Sequence, residues 1–258
     1  MKIWHMSGAG NDFVVLDARG QRLDLAALAK NLCAQTGADG FMALDHSETA
    51  DFRLHFYNSD GSRGEMCGNG SRCICRFAFE QSIAGADIVI ETDAGLVHGW
   101  RLTESEYLIQ LTAPIGLDLT RKKGVSYVEV GCPHAVKEVP GLCWADRDAL
   151  RENAKALRFD SAFPKGANVN FYTWLEEGRI RILTYERGVE DYTLACGTGT
   201  GSTAAILWAK GQLPGGKLIA ENPGGTLTVT VEAQHGTISK LLLEGPTEII
   251  NIFDMNEA

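Results

Sequence analysis

The sequence has no excess of positive charge, no long apolar run and no cysteines paired at metal-binding intervals. Its 258 residues carry a formal charge of −9, which argues against nucleic acid or an anionic membrane surface as the main partner. The densest basic segment, Arg121-Lys122-Lys123, reads as a solvated turn. No uninterrupted apolar segment approaches the roughly 18 residues that a membrane helix needs. Met1-Lys2-Ile3-Trp4-His5-Met6 lacks the apolar core of a secretion signal. A cytoplasmic protein is therefore expected. The seven cysteines are odd in number and scattered, so structural disulfides are not expected in that compartment. Cys67, Cys73 and Cys75 follow a C-x5-C-x-C spacing with no His at a matching interval, so no metal is expected either.

What the chain does contain is one plan stated twice. In the first half, strand signals at Ile3–Met6 and Phe13–Leu16 flank a polar Gly-rich loop, Ser7 to Asp12. Leu25 to Cys33 has helical spacing, and Phe41–Leu44 and Phe52–Tyr57 read as strands. A helix after Cys67 carries Ile74, Phe77 and Ala78 on one face, and strands follow near Ile88–Glu91, Leu96–Arg101 and Tyr107–Leu111. In the second half, Tyr127–Val130 is a strand, Gly131-Cys132-Pro133-His134 a turn and Asp146–Ala156 a helix. Strands at Asn168–Trp174 and Arg179–Tyr185 precede a helix at Thr198–Trp208, and strands at Leu227–Glu232 and Ile238–Glu244 follow. The expected class is α+β: two pseudo-symmetric halves, each a curved, mainly antiparallel sheet around one long apolar helix. Pro114-Ile115-Gly116 marks the boundary, giving halves at 1–116 and 117–258, with room for the last strand to pack back on the first half.

The two halves answer each other most closely at Met66-Cys67-Gly68-Asn69-Gly70-Ser71 and Ala195-Cys196-Gly197-Thr198-Gly199-Thr200, half the chain length apart. Each motif opens a helical stretch. A thiol at a helix start is where a thiolate is stabilised, because unpaired N–H groups and the macrodipole favour negative charge there. One such thiol per half fits a site that removes a proton from one face of a carbon and returns one to the other. A dinucleotide site is the first rival, but Gly197, Gly199 and Gly201 give G-x-G-x-G and no βαβ alternation surrounds them. The second rival makes both cysteines small buried packing residues. The repetition of the whole motif opposes it. Cys33, Cys73, Cys75 and Cys143 lack that context and read as packing.

Met66 to Cys73 and Ala195 to Thr200 together resemble the diaminopimelate epimerase family, among the pyridoxal-independent amino-acid racemases. The likeness runs in order through Ser7 to Phe13, Gly37 to Gly40, Tyr57 to Ser62, Pro133-His134, Ala167 to Asn170 and Tyr185 to Gly188. It implies a site in a cleft between the halves, no cofactor, and epimerisation of LL-diaminopimelate to the meso form for lysine and peptidoglycan precursors. It implies that Cys196 accepts the α-proton in that direction and that Cys67 donates, a division of labour the residues by themselves leave open. It places the reacting carboxylate on the N–H groups of Gly68, Asn69, Gly197 and Thr198, in keeping with helix N-termini as anion sites. It assigns Asn11, Asn58, Asn168, Glu186 and Arg187 to the substrate, with Arg187 on the distal carboxylate, and gives His134 and Glu186 the tuning of the thiols. A homodimer is the partner it implies. Two positions depart from it: Cys132 stands where many members carry a substrate-binding Asn, and Gly40 where some carry Gln. Racemisation of another amino acid, such as histidine or glutamate, and a non-catalytic binding role are the alternatives.

Overall fold

Strands Lys2–Gly8 and Asn11–Asp17 are joined by Ala9 and Gly10 alone, both at positive φ (55° and 86°), in the computed structural model. The segment from Ser7 to Asp12, expected as a loop, is therefore mostly strand. A two-residue turn with positive φ at both positions matches the right-handed twist of a hairpin. Gly8 is required there because a Cβ would lie 2.8 Å from the Asn69 carbonyl. The structure describes residues 1–64 and 67–255. Met66, quoted above with the first Cys-Gly motif, lies outside the described residues.

Four α-helices are among the described residues: α1 (Leu25–Thr36), α2 (Gly68–Glu80), α3 (Arg147–Arg158) and α4 (Gly197–Ala209). The chain divides into two compact units, Met1–Ile109 with Gly245–Ala258 in one and Gln110–Glu244 in the other. In the first unit, Asn11–Asp17 runs parallel to Gly40–Asp45 across α1. Gly40–Asp45 pairs antiparallel with Phe52–Asn58, which runs parallel to Asp87–Thr92 across α2, and Gly95–Arg101 closes the series antiparallel. Glu248–Asp254 pairs back onto Lys2–Gly8.

The second unit repeats these pairings. Cys132–Glu138 runs parallel to Asn168–Glu176 across α3, and the latter pairs antiparallel with Arg179–Glu186. Arg179–Glu186 runs parallel to Lys217–Asn222 across α4, and Gly225–Gln234 follows antiparallel. The division falls at Ile109, where the pairing with Gly99 of the first unit ends. Two residues on, the Leu111 side chain occupies the space a Cβ on Gly201 of α4 would need.

Each unit has two layers on its sheet. α1 packs Ala29, Leu32 and Cys33 against Ile3, Val14, Leu16, Phe41 and Ala43. α3 packs Ala154 and Leu157 against Val169, Phe171 and Leu183. The opposite faces carry α2 and α4, buried along nearly all their length, as central helices are. The expected central helices are thus found, one per unit.

Local signals account for the ends of α1. Asp24 caps it by accepting from the Ala27 N–H at 3.1 Å, and Gly37 ends it at φ 75°. Asp24→Ala should lower stability by about 0.5–2 kcal/mol, measured by chemical denaturation. An unchanged midpoint would show that this cap carries nothing.

Two local readings need correction. Gly131-Cys132-Pro133-His134 is not a turn: Gly131 turns the chain at φ 71°, and Cys132 already begins a strand paired with Val130. Cys143 is exposed, at the cap of a short 3-10 turn, and packs nothing. Cys33, Cys73 and Cys75 are buried, and burial pushes the Cys33 thiol up to about 11 and Cys73 up to about 12, which leaves both unreactive.

Candidate active site

Cys67 and Cys196 occupy the same place in their units. Cys67 caps α2 at φ −124°, ψ 121°, and Cys196 caps α4 at φ −125°, ψ 110°. Each sulfur therefore leaves extended backbone at the foot of a 13-residue helix. The N–H groups of that first turn are unpaired within the helix. At Cys196 the Gly199 N–H donates to Sγ at 3.3 Å.

In the first unit, Asn69 Nδ2 donates to Asn11 Oδ1 at 2.6 Å, and Asn11 Nδ2 donates to Asp39 Oδ2 at 3.3 Å. Asn11 is thereby fixed beside the first turn of α2. Arg72, fully buried, donates to Asn69 Oδ1 at 3.0 Å and to the Gly68 carbonyl at 3.4 Å, bracing the same turn. Asn58 is exposed at its strand end, and its Nδ2 donates to Ser62 Oγ at 2.9 Å. Gly68, Asn69 and Asn11 thus come together, and Asn58 ends its strand opposite Gly40, with its side chain engaged by Ser62.

The second unit gathers the remaining residues. The parallel register sets Phe13 opposite Gly40 in one unit and His134 opposite Asn168 in the other. Two residues earlier, Asn11 and Cys132 are therefore counterparts, as are Asn69 and Thr198, each two residues past its cysteine. The contacts correspond as well, since Cys132 Sγ lies 3.8 Å from Thr198 Oγ1. Asn168 Nδ2 donates to Cys132 Sγ at 3.1 Å, and its Oδ1 accepts the Arg187 N–H at 2.7 Å. Arg187 is exposed, with one guanidinium nitrogen held by the Lys165 carbonyl at 3.0 Å. Among the described residues no carboxylate lies within ion-pair reach of it.

The electrostatics at Cys196 follow from burial. Burial pushes its thiol well up, the Glu186 carboxylate and Cys132 add to this, and the Thr198 hydroxyl and Gly199 N–H oppose it. His134 is completely buried, and burial with the nearby Arg187 cation pushes it down to about 3. It is a neutral imidazole at physiological pH. Chemically the site offers a protonated thiol on a helix N-terminus, neutral donors around it and an available guanidinium. Sequence reasoning missed Asp39, Arg72 and Asn170 here. For Asn170 a signal existed, because Asn168-x-Asn170 places both amides on one face of a strand. Among the described residues no cluster of His, Cys, Asp and Glu is arranged to hold a metal ion.

Solved structures share this architecture. A PhzF-family phenazine biosynthesis protein from Bacillus anthracis superposes with a TM-score of 0.75 at 17% identity, covering 98% of each chain. A probable proline racemase from Agrobacterium radiobacter gives 0.74 at 16% identity, covering 98% of this chain and 92% of that one. The fold is that of the proline racemase and PhzF proteins, the α+β class expected from the sequence. Residues 3–108 and 126–249 match the family described as Diaminopimelate epimerase. The enzyme of that name from Aquifex aeolicus is 36% identical over 251 residues, covering 88% of this chain and 86% of its own. The chain belongs to the diaminopimelate epimerase family.

Proposed function

We propose that this protein inverts one α-carbon of LL-diaminopimelate to give the meso form, with Cys67 and Cys196 as the two acid–base groups. The matched capping geometry of the two cysteines carries the reading, beside the family match. One thiolate takes the α-proton while the other thiol delivers a proton to the opposite face, so each turnover exchanges the two protonation states. The departing proton leaves its electron pair on carbon, delocalised into the α-carboxylate. The N–H groups of Gly68, Asn69, Gly197 and Thr198 then stabilise the developing charge.

The family likeness makes Cys196 the acceptor in the LL-to-meso direction. Burial opposes a thiolate there, so the hydroxyl and amide donors around the sulfur must stabilise it. Arg187, presenting its guanidinium, would take the distal carboxylate, with Asn11, Asn58, Asn168 and Glu186 completing recognition. His134 and Glu186 would tune Cys196, the first as a neutral donor. The proton transfers need no group beyond the chain's own thiols.

A cytoplasmic location and a homodimer complete the proposal. The first is supported by the seven cysteines, all of them free thiols, which fit a reducing compartment. The second is supported by Ile250 and Ile252, which leave apolar side chains exposed on Glu248–Asp254.

The test is incubation of the purified protein with LL-diaminopimelate and with a panel of L-amino acids, followed by chiral analysis. Meso-diaminopimelate should be the fastest-formed product. Faster turnover of histidine or glutamate would overturn the substrate assignment and leave the two-thiol chemistry standing.

A further inference from the structure

Asn170 lies behind the site, completely buried on Asn168–Glu176, and is not among the residues assigned to substrate. Its amide orientation is determined by chemistry. Asn170 Nδ2 lies 3.2 Å from the Ala135 carbonyl, which only accepts, and Oδ1 accepts the Thr184 hydroxyl at 2.9 Å. The second N–H on Nδ2 therefore points at His134 Nδ1, 3.1 Å away. A nitrogen that receives a hydrogen bond carries no proton, so the neutral ring holds its proton on Nε2. Nε2 lies 3.1 Å from Thr198 Oγ1 and 3.3 Å from Cys132 Sγ. Once the Thr198 oxygen accepts from His134, its own proton is left for a sulfur. Cys196 Sγ is at 3.5 Å and Cys132 Sγ at 3.8 Å, and Cys132 already accepts from Asn168.

We propose that Asn170 is a positioning residue: it fixes the His134 tautomer and so turns the Thr198 hydroxyl proton toward Cys196 Sγ, stabilising the thiolate form of that cysteine. The wire runs in one direction, from amide to imidazole to hydroxyl to sulfur. It offsets the burial and the Glu186 carboxylate that oppose charge on Cys196. The same amide sets the foot of α4, because a Cβ on Gly199 would collide with Asn170 Oδ1. The inference rests on the two-thiol reading, yet its first readout is independent of turnover.

The test uses Asn170→Asp, which keeps the shape and replaces the donor with an acceptor. The carboxylate should draw a proton to His134 Nδ1, leave a lone pair on Nε2 and turn the Thr198 hydroxyl away from the thiol. The ring 15N shifts of His134 should report the Nε2–H tautomer in the wild type and Nδ1–H in the variant. The pH midpoint for alkylation of Cys196, followed by peptide mapping, should rise by about one unit or more. That midpoint also senses Glu186 and Cys132, and Arg187 through Cys132 and His134, all unchanged in the variant. For LL-diaminopimelate, kcat should fall about tenfold to a hundredfold, with KM within about twofold. Thr198→Ser should keep the wild-type midpoint and Thr198→Val should raise it, which tests the wire even if Asn170→Asp does not fold. An unshifted midpoint in Thr198→Val, or a folded Asn170→Asp with the wild-type tautomer, would overturn the proposal. A shifted midpoint in a protein that does not epimerise diaminopimelate would instead sink the substrate reading alone.

Discussion

Replacing either Cys67 or Cys196 by Ser should lower LL-diaminopimelate epimerisation by about 10²- to 10⁴-fold, the range general acid–base groups command. A hydroxyl is a far weaker acid than a thiol, so it neither releases its proton to form a base nor delivers it with comparable driving force. The location of the two residues makes this test unusually clean. Both are helix N-caps, and Ser is among the preferred residues there. Stability should be held or raised while activity collapses, so the loss is not one of folding. Parallel melting curves and rates check both halves of the expectation. Near-normal turnover in either variant would end the two-base account.

Arg187→Ala should be the next most damaging change. The guanidinium sits exposed beside Asn168, positioned by the Lys165 carbonyl and its own backbone N–H. A planar guanidinium pairs a carboxylate through two parallel bonds. Provided that bound substrate shields the pair from water, removing one partner costs about 2–5 kcal/mol, so kcat/KM should fall roughly thirtyfold or more. Cys132→Asn works on a smaller scale. Its carboxamide oxygen would accept from Asn168 as the sulfur does, and a neutral hydrogen bond is worth about 0.5–1.5 kcal/mol. The change should be tolerated or mildly favourable. Comparable losses in the two variants would remove the argument that the charged contact dominates specificity.

How much of this could be read from the residues differs between the fold and the site. The central helices were legible because Cys-Gly-x-Gly precedes a helical stretch in both halves, two-faced in α2 and apolar all round in α4, and the two caps proved nearly superimposable in φ and ψ. The strand from Cys132 was not legible, because Gly131 and Pro133 signal a turn. Only the first makes one, since Pro133 sits within the ladder opposite Glu129. Ile115–Lys122 was missed because much of it is exposed and shows no alternation. Within the site, the paired thiols stand out, whereas Asn170 looks no different from Asn168. What separates them is whom they meet: Ala135, His134 and Thr184, partners that only the sheet register brings together.

The central claim is that two thiols act on opposite faces of one carbon. It is tested most directly by running the LL-to-meso reaction in heavy water and analysing both pools at low conversion. The account predicts deuterium at the inverted carbon of every meso molecule formed, with the unreacted LL pool still carrying protium. Meso product that retains the substrate's own α-hydrogen would mean one group serving both faces, and would contradict it.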